Sequence, residues 1–470
     1  MSDGRGGDDQ SSAAKGRLRI FLITWLGQLV SLVGSGLTSF AVGIKIYQDS
    51  GSVTLLSLVS FCYVMPLVLL SPIAGTFIDR WDRRRAMLLA DIGAGTGAVI
   101  MWALLGAGAS IPPWVFLGPI VMSSAFDAFR WPAYQAATTL LVPKQHLGRA
   151  NGLIELASGV GQVAAPALAA ALVVRIGVQR VVFLDVMSFV VAIGSLASVR
   201  FPKPPARDAA EGDEKPGKKT FLDESLLGWR FIRARPGLVA LLALGVTNNV
   251  VFGIITVLIT PLVLGISNVA TLGRVLSIAG VGMLVGGIVQ SVWGGPRRRI
   301  HGFVGFIALS GVVLFMGAAP PSVSLFATGA ALFLFCAPLI VGSAQTIWQS
   351  KTPHDVQGRV FAFRRMIVAG AAPLGNLVAG PLADRFFEPW MAANGALAGS
   401  VGALIGVGPG RGIGLLFVLL GVIRLGFAMS GVFYPRVWNV EDEIPDAIHD
   451  AKPAAPKGAP LAAPAAEVSE

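Results

Sequence analysis

The chain has 470 residues, of which 54% are hydrophobic and 13% charged, and its formal net charge is +11. Soluble domains carry about 25% charged residues, and so few charges cannot cover so apolar a protein in water. Apolar runs of about 20 residues, the length that a helix needs to cross the hydrocarbon core, recur along the chain. Because these runs are continuous rather than alternating, they indicate a helical membrane bundle and not a β-barrel.

The apolar runs form two groups of six, which predicts an all-α membrane protein with 12 transmembrane helices. The first bundle occupies residues 18–199 and the second residues 236–437. A tail at 1–17 and a tail at 438–470 are expected to be disordered, and a linker at 200–235 joins the bundles. The predicted helices begin at about residues 19, 53, 86, 113, 150, 179, 237, 271, 302, 322, 361 and 412.

The linker ends in a segment with amphipathic spacing. Thr220 and Asp223 fit a capping pattern at its start. Its apolar side chains fall near one face: Phe221, Leu222, Leu226, Trp229 and Ile232. We expect an amphipathic helix resting on lipid headgroups, with a regulatory partner site as the alternative.

Basic residues collect on alternate connections, on the side that also carries both chain ends. They are Lys15, Arg17, Arg19, Arg80, Arg83, Arg84, Arg85, Lys144, Arg149, Arg297, Arg298, Arg299, Lys351 and Arg359. The opposite connections hold few. The positive-inside rule places the basic side in the cytoplasm. We therefore expect a multi-pass protein of the cytoplasmic (inner) membrane with both termini cytoplasmic.

A short motif recurs in the two halves. Pro143, Gly148 and Arg149 match Pro353, Gly358 and Arg359 at a constant offset of 210 residues. Each copy precedes an apolar run that starts on the basic side. The repeat predicts two pseudo-symmetric six-helix bundles in parallel orientation, an arrangement known in one large class of transporters; chance similarity is the alternative.

The charged turn after the second predicted helix resembles the signature loop of the major facilitator superfamily. Its matching residues are Gly75, Asp79, Arg80, Arg83 and Arg84. The family usually has Gly where this chain has Asp82. The DRWDRRR variant, LASGVGQVAAPALAAAL in the fifth helix and GRVFAFRRMIVAGAAPLGNLVAGPLADRFFEP around the eleventh resemble the branch of drug, macrolide and siderophore exporters.

The resemblance implies the major facilitator fold and a role for the charged turn. Asp79 would meet the positive amino end of the eleventh helix and hold the inner ends of the two halves together while the outer side is open. Gly75, Arg80, Arg83 and Arg84 would complete this latch. A plain topology signal is the alternative, although arginines alone would supply that signal.

Small residues recur at helical spacing in three predicted helices, where they allow close backbone approach. The resemblance implies that the fifth and eighth helices meet across the two halves, so a gating role stands beside ordinary packing. The helix-interface candidates are Gly161, Ala165, Pro166, Gly282, Gly286 and Gly375, with Ala169 and Ala379 at the same spacing.

Charged groups inside apolar helices are costly and point to function. Asp127 and Arg130 lie three residues apart, on one face of the fourth helix. The acid could bind and release a proton while Arg130 adjusts its proton affinity; a static stabilising pair is the alternative. Glu155 is a second coupling candidate, whereas Asp91 and Asp185 are interpreted as structural because their helices are usually peripheral.

A mostly apolar chamber with a few polar groups suits amphipathic molecules. Side chains in the first, seventh and tenth helices could line it, although helix–helix hydrogen bonding would also explain them. The substrate-cavity candidates are Trp25, Gln28, Ser31, Asn248, Asn249, Phe252 and Gln345.

The leading hypothesis is a proton-coupled exporter of small amphipathic molecules that works by alternating access. A nutrient importer or uniporter of the same fold and a non-transporting sensor are the alternatives. The chain carries no clustered catalytic residues, and two cysteines and four scattered histidines give no metal-site pattern. We expect no enzyme activity and no cofactor, with the proton gradient as energy source. The expected partners are a small-molecule substrate and the lipid bilayer, without nucleic acid, and the expected state is a monomer.

Overall fold

The computed structural model describes residues 5–78, 81–108, 111–142, 147–199, 201 and 228–443, which are almost entirely helical. Twelve long helices account for most of them. In chain order they are α1 Arg5–Ser50, α2 Val53–Ile78, α3 Arg83–Gly106, α4 Leu117–Leu141, α5 Leu147–Ile176, α6 Val178–Ser198, α7 Pro236–Leu264, α8 Val269–Trp293, α9 Arg299–Leu314, α10 Val323–Lys351, α11 His354–Leu382 and α12 Arg411–Phe433.

Membrane-spanning character follows from length and hydropathy. Within the described residues 10 helices are long and apolar enough to cross a bilayer, and they are all of the twelve except α4 and α5. The helix α4 carries Asp127 and Arg130, which lower its hydropathy. Counting all twelve, the number of long helices agrees with the sequence prediction.

Helix starts follow the predicted apolar runs to within four residues, except that α11 begins at His354 instead of about 361 and α1 begins much earlier than predicted. The helix α1 begins at Arg5, although a disordered tail was expected for residues 1–17. The apolar part begins only near Gly16. Once a helix is nucleated, each added residue brings one further hydrogen bond, so the helix can extend into this polar segment although its Gly, Asp and Ser residues are weak helix formers.

The two halves repeat the same packing pattern. In α1–α6, α1 packs on α5 and α6, α4 packs on α2 and α3, and α3 packs on α6. In α7–α12, α7 packs on α11 and α12, α10 packs on α8 and α9, and α9 packs on α12. These are the pseudo-symmetric bundles that the repeated motif predicts.

Contact between the halves runs mainly through two helix pairs, α2 with α11 and α5 with α8. We name the end of the bundle where α1 begins and α12 ends the terminal face, and the opposite end the far face. At the far face one hydrophobic cluster combines Ile44, Leu56 and Ala170 with residues of α7–α12. Toward the terminal face, the described members of one cluster come only from the first half and those of another only from the second. Among the described residues, the halves therefore share a core at the far face and have separate cores at the other end.

Much of the linker, and the tail after Glu443, lie outside the described residues. The end of the linker is helical at 228–233, where Ile232 is buried and Trp229 packs 5.6 Å from Phe363 of α11. Its described apolar side chains therefore contact the second bundle, whereas the sequence prediction placed them on headgroups. The start of the tail also contacts the second bundle, because Glu441 accepts a hydrogen bond from the Ile300 amide of α9 at 2.9 Å.

Candidate functional site

An ion pair lies in the middle of α4. Arg130 Nη2 is 3.1 Å from Asp127 Oδ1, as expected for residues three apart on one helix face. The Asp127 side chain keeps 30% of its surface exposed, and the Arg130 side chain keeps 14%. The pair thus lies at the edge of the protein interior, where part of the Asp127 side chain remains accessible.

Two further helices join this pair. Arg130 Nη1 donates to Ser31 Oγ of α1 at 3.1 Å and lies 3.8 Å from Asp91 Oδ1 of α3. Gln28 Nε2 of α1 donates to Asp91 Oδ2 at 2.8 Å. The Asp91 side chain is fully buried, so the polar contacts of α1 and α4 compensate for its burial.

A third acid lies nearby on α6. Asp185 is 2% exposed, and its Oδ1 accepts from Ser188 at 3.1 Å and from Ser35 of α1 at 3.4 Å. We name Asp91, Asp127, Arg130 and Asp185 the charge cluster. Sequence reasoning set Asp91 and Asp185 aside because their helices are usually peripheral, yet both side chains face inward toward α1.

Two small cavities flank the charge cluster. One of about 40 Å³ is lined by Trp25, Gln28, Arg130 and Tyr134, together with Leu29, Leu32, Trp131, Ile154 and Ala157. The other, of about 80 Å³, includes Asp127, Asp185 and Tyr63 in its lining. Each holds at most a few water molecules. Carboxylates on such water-sized spaces can exchange protons along hydrogen-bonded paths.

The polar substrate-cavity candidates are already engaged by the protein. Gln28 and Ser31 bond the charge cluster, and Trp25 Nε1 donates to the Leu153 carbonyl at 3.1 Å. Asn249 Nδ2 donates to the Gly245 carbonyl of its own helix at 3.0 Å.

In the second half the remaining candidates have arginine or aromatic partners. Asn248 Oδ1 accepts from Arg424 at 2.7 Å, Gln345 Oε1 accepts from Arg364 at 2.7 Å, and Phe252 stacks on Phe333 at 6.2 Å. Neither arginine was singled out from the sequence. Both are charged residues inside apolar helices, and that feature, which points to Asp127 and Arg130, would also have pointed to these two arginines.

The charged turn is only partly described. Asp79 and Arg80 lie outside the described residues, as do the surroundings of Gly75 and the side chain of Glu155. Arg83 is the first residue of α3. Arg84 donates to the carbonyls of Leu196 and Ala197 at 2.8 and 2.9 Å and so caps the end of α6.

The departure from the family pattern in this turn has a local explanation. Asp82 Oδ1 accepts from the Arg85 amide at 2.9 Å, with the extended backbone of an N-cap. The carboxylate therefore satisfies an orphan amide at the start of α3. Asp82 stabilises the turn by a side-chain contact that Gly could not make.

An unpredicted contact joins the halves at the far face. Asp384, just after α11, accepts from the Thr54 amide at 2.7 Å, the Thr54 hydroxyl at 2.8 Å, the Ser52 hydroxyl at 3.2 Å and the Val53 amide at 3.3 Å. One carboxylate thus caps the start of a helix in the other half, where the dipole also favours an anion. We name this contact the far-face latch.

A sequence signal for the far-face latch was present. Gly380-x-x-x-Asp384-Arg385 repeats the spacing of Gly75-x-x-x-Asp79-Arg80. In the structure a Cβ at Gly380 would lie 2.3 to 2.6 Å from backbone atoms of Thr54, so only Gly allows α11 to approach α2 this closely.

The small-residue candidates pack mainly within their own halves. Gly282 and Gly286 face the α10 backbone, Gly375 faces Val250 of α7, Gly161 lies next to Leu32 and Ala165 next to Gly36. Pro166 lies at the α5–α8 contact, where its carbonyl is 3.2 Å from a Cβ built on Gly273. Of these stripes, the Pro166 region reaches the other half directly, and Ala379 belongs to the hydrophobic cluster that both halves share.

Among the described residues, no group of three or more His, Cys, Asp or Glu side chains is placed to hold a metal ion. The free thiols, Cys62 and Cys336, lie in separate halves. The arrangement is instead one of acids and hydrogen-bond donors buried within a membrane bundle.

Comparison with known proteins identifies relatives among exporters. The chain is 27% identical over 391 residues to macrolide efflux protein A of Streptococcus pyogenes, covering 80% of this chain and 93% of that protein. It is 24% identical over 377 residues to multidrug efflux pump Tap of Mycolicibacterium fortuitum, covering 77% and 89%.

Solved transporters share the fold. A bacterial homologue of the human lysosomal transporter Spinster, in an inward-facing unoccupied conformation, superposes with a TM-score of 0.66 at 15% identity and covers 89% of this chain and 98% of its own. The nucleoside transporter NupG superposes with a TM-score of 0.65 at 12% identity, covering 89% and 99%. The sequence profile of the Major Facilitator Superfamily matches residues 24–376. The chain therefore belongs to the Major Facilitator Superfamily.

Proposed function

We propose that this transporter exports small amphipathic organic molecules across the cytoplasmic membrane by alternating access and proton antiport. One observation carries the proposal: a charge cluster lies inside the first half. The two halves are joined at the far face. With the termini in the cytoplasm, as the basic residues indicate, the far face is outside. The shared core of the described residues then lies on the outer side, which supports a conformation that is open toward the cytoplasm.

The charge balance of the cluster supports proton coupling. Three carboxylates surround one guanidinium, so full ionisation leaves a net charge of −2 among buried and partly buried groups. Uncompensated charge is costly in a membrane interior. Protons or a cationic substrate must therefore supply the balance, and the two can compete for the same carboxylates. Asp127 is the proposed proton carrier because its side chain is the more exposed of the two that pair with Arg130.

Two latches would alternate during transport. The helices α2 and α11 run antiparallel, and each ends in the Gly-x-x-x-Asp-Arg pattern. Asp384 caps α2 at the far face, and the family resemblance assigns Asp79 to the start of α11 at the opposite end. Rocking of the halves engages one contact as it separates the other, since packed halves behave as discrete states.

Transport in proteoliposomes tests the proposed function. Vesicles with inside-out protein and an acidic lumen should accumulate a labelled macrolide, because a difference of one pH unit supports about tenfold accumulation for each proton exchanged. Asp127→Asn should abolish the gradient-driven part. Asp49→Asn is the matched control, because that acid pairs only with Lys45 in the described structure and is 47% exposed. Accumulation indifferent to the gradient, or unchanged in Asp127→Asn, would contradict proton antiport through this acid.

A further inference from the structure

A buried arginine in the second half has no acidic partner among the described residues. Arg424 lies in the middle of α12 and is 2% exposed. Its Nη2 donates to Asn248 Oδ1 at 2.7 Å, whereas Nε and Nη1 have no hydrogen-bond partner among the described residues. A guanidinium stays charged in proteins and offers five donors, so most of its binding capacity is unused.

The second half cannot neutralise this charge from within. The acids between residues 228 and 443 all lie near helix ends or in connections. They are Asp355, Asp384, Glu388, Glu441, Asp442 and Glu443. The guanidinium carbon lies 5.1 Å from the Phe333 ring centroid, and a cation–π contact offsets only part of the cost of burying a charge.

A large apolar cavity lies beside Phe333, the ring that this arginine contacts. It has a volume of about 340 Å³ and lies between α7, α8, α9, α10 and α12. Phe252 and Phe333 stack in its wall, one turn of α7 from Asn248. Arg424 is not among the residues that line the cavity, and the Phe333 ring lies between them. A ligand's charged group would reach the guanidinium only after that ring rotates.

The first half has the opposite character at the related position. The cavity between α1, α2, α3, α4 and α6 contains Asp127 and Asp185 in its lining. The pseudo-symmetric space between α7, α8, α9, α10 and α12 is apolar, and Arg424 contacts the Phe333 ring in its wall. The same architecture thus supports an acidic site in one half and a basic site in the other.

We propose that the cavity of the second half binds amphipathic anions. The apolar body of the ligand, aromatic or aliphatic, occupies the space between Phe252, Met283 and Phe417. Its single carboxylate or sulfonate accepts hydrogen bonds from the free nitrogens of Arg424. Charge-assisted hydrogen bonds of this kind are the strong ones. As cargo, such a ligand would extend the proposed function to anionic substrates; the binding site itself requires no proton gradient.

Two fluorescent probes with the same rings test this site. The probes are 1-anilinonaphthalene-8-sulfonate and the neutral N-phenyl-1-naphthylamine. Their fluorescence is titrated with the protein in phosphatidylcholine nanodiscs, and the fluorescence with empty nanodiscs is subtracted. The sulfonate should bind at least about tenfold more tightly, because a charge-assisted hydrogen bond contributes more binding free energy than a tenfold change in affinity requires. Arg424→Gln should remove this preference and leave neutral-probe binding within about twofold.

Matched variants separate the alternatives. Arg365→Gln removes an exposed arginine of α11 and should keep the preference. Met283→Trp should weaken binding of both probes by filling the cavity. Asn248→Asp supplies an internal counter-ion beside Arg424, so it should abolish the preference in a folded protein even if Arg424→Gln fails to fold. Equal probe affinities in the wild type, or a preference that survives in Asn248→Asp, would overturn the proposal. Neither readout depends on Asp127 or on transport.

Discussion

At the residue scale, the charge cluster depends on how closely backbones approach. A Cβ at Gly34 of α1 would lie 2.8 Å from Asp185 Oδ1 and closer still to Ser188 Oγ. Gly34 therefore allows α6 to bring its acid against α1. The position is conformationally ordinary, so the requirement is one of space and not of backbone angle.

Gly34→Ala should destabilise the first bundle by about 1–3 kcal/mol, the usual cost of overpacking. The measurement is thermal or denaturant unfolding of the purified protein in detergent. Gly194→Ala in α6 is the matched control, because a Cβ there meets nothing within 4 Å. The control should be neutral or slightly stabilising, since Ala favours helix more than Gly does. Equal stability of the two variants would contradict a tight fit at Gly34.

The residue scale also explains why a single substitution in the turn is tolerated. Asp82 stands where the family usually has Gly, and it caps α3 through the Arg85 amide. Asp lacks the backbone freedom of Gly, but its side chain accepts a hydrogen bond from an otherwise unpaired amide at the start of the helix. Local chemistry of this kind can be anticipated from sequence, because the cap and its amide lie three residues apart.

At the element scale, two antiparallel helices connect the halves. Asp384 accepts four hydrogen bonds from the first turn of α2, and Gly380 lets the helices approach. Most contacts of α2 and α11 with their own bundles are apolar and non-directional. The far-face latch is directional, so it can determine where the two halves meet.

Asp384→Leu should open the far face. A cysteine introduced at Ile44, which is 2% exposed in the shared cluster, should react with a soluble thiol reagent at least about tenfold faster, because several charge-assisted hydrogen bonds are lost. The background carries Cys62→Ser and Cys336→Ser.

Glu388→Leu is the control for the far-face latch. Glu388 follows α11 as well, but it accepts from the Gly410 and Ile413 amides of its own half at 3.1 and 3.0 Å. Its loss should weaken the start of α12 without changing thiol reactivity at residue 44. Equal reactivity in the Asp384 and Glu388 variants would show that the apolar cluster alone closes the far face.

At the scale of the whole molecule, the two bundles share a framework and differ in charge. Acids lie inside the first bundle, and Arg364 and Arg424 lie inside the second. Both sets are surrounded by apolar helix surface, where electrostatic interactions are strong. This division of charge gives the halves different ligand chemistry while the helix packing remains equivalent.

The orientation of the whole molecule is testable in cells. Gln48→Cys at the far face and Arg297→Cys at the terminal face are both exposed positions. If the basic side is cytoplasmic, an impermeant thiol reagent should label Gln48→Cys in intact cells and Arg297→Cys only after permeabilisation. Labelling in the reverse order would invert the membrane topology and the direction of the proposed transport.

Sequence by itself determined the framework of this protein. Runs of apolar residues determine where helices cross, because every backbone polar group in lipid must bond internally. The repeated Gly-Arg motif indicated two related halves, and the charged turn indicated the family. The Asp127–Arg130 pair was also predictable, since helix periodicity places residues three apart on one face.

Only the tertiary structure decided which helices bring their charges together. Asp91 and Asp185 joined the cluster, Gln28 and Ser31 became its partners, and Asp384 met α2 from the other half. These contacts link residues that are far apart in the chain, and their formation depends on helix rotation and close packing of small residues. Periodicity along one helix contains no information on that rotation, so the site had to come from the folded arrangement.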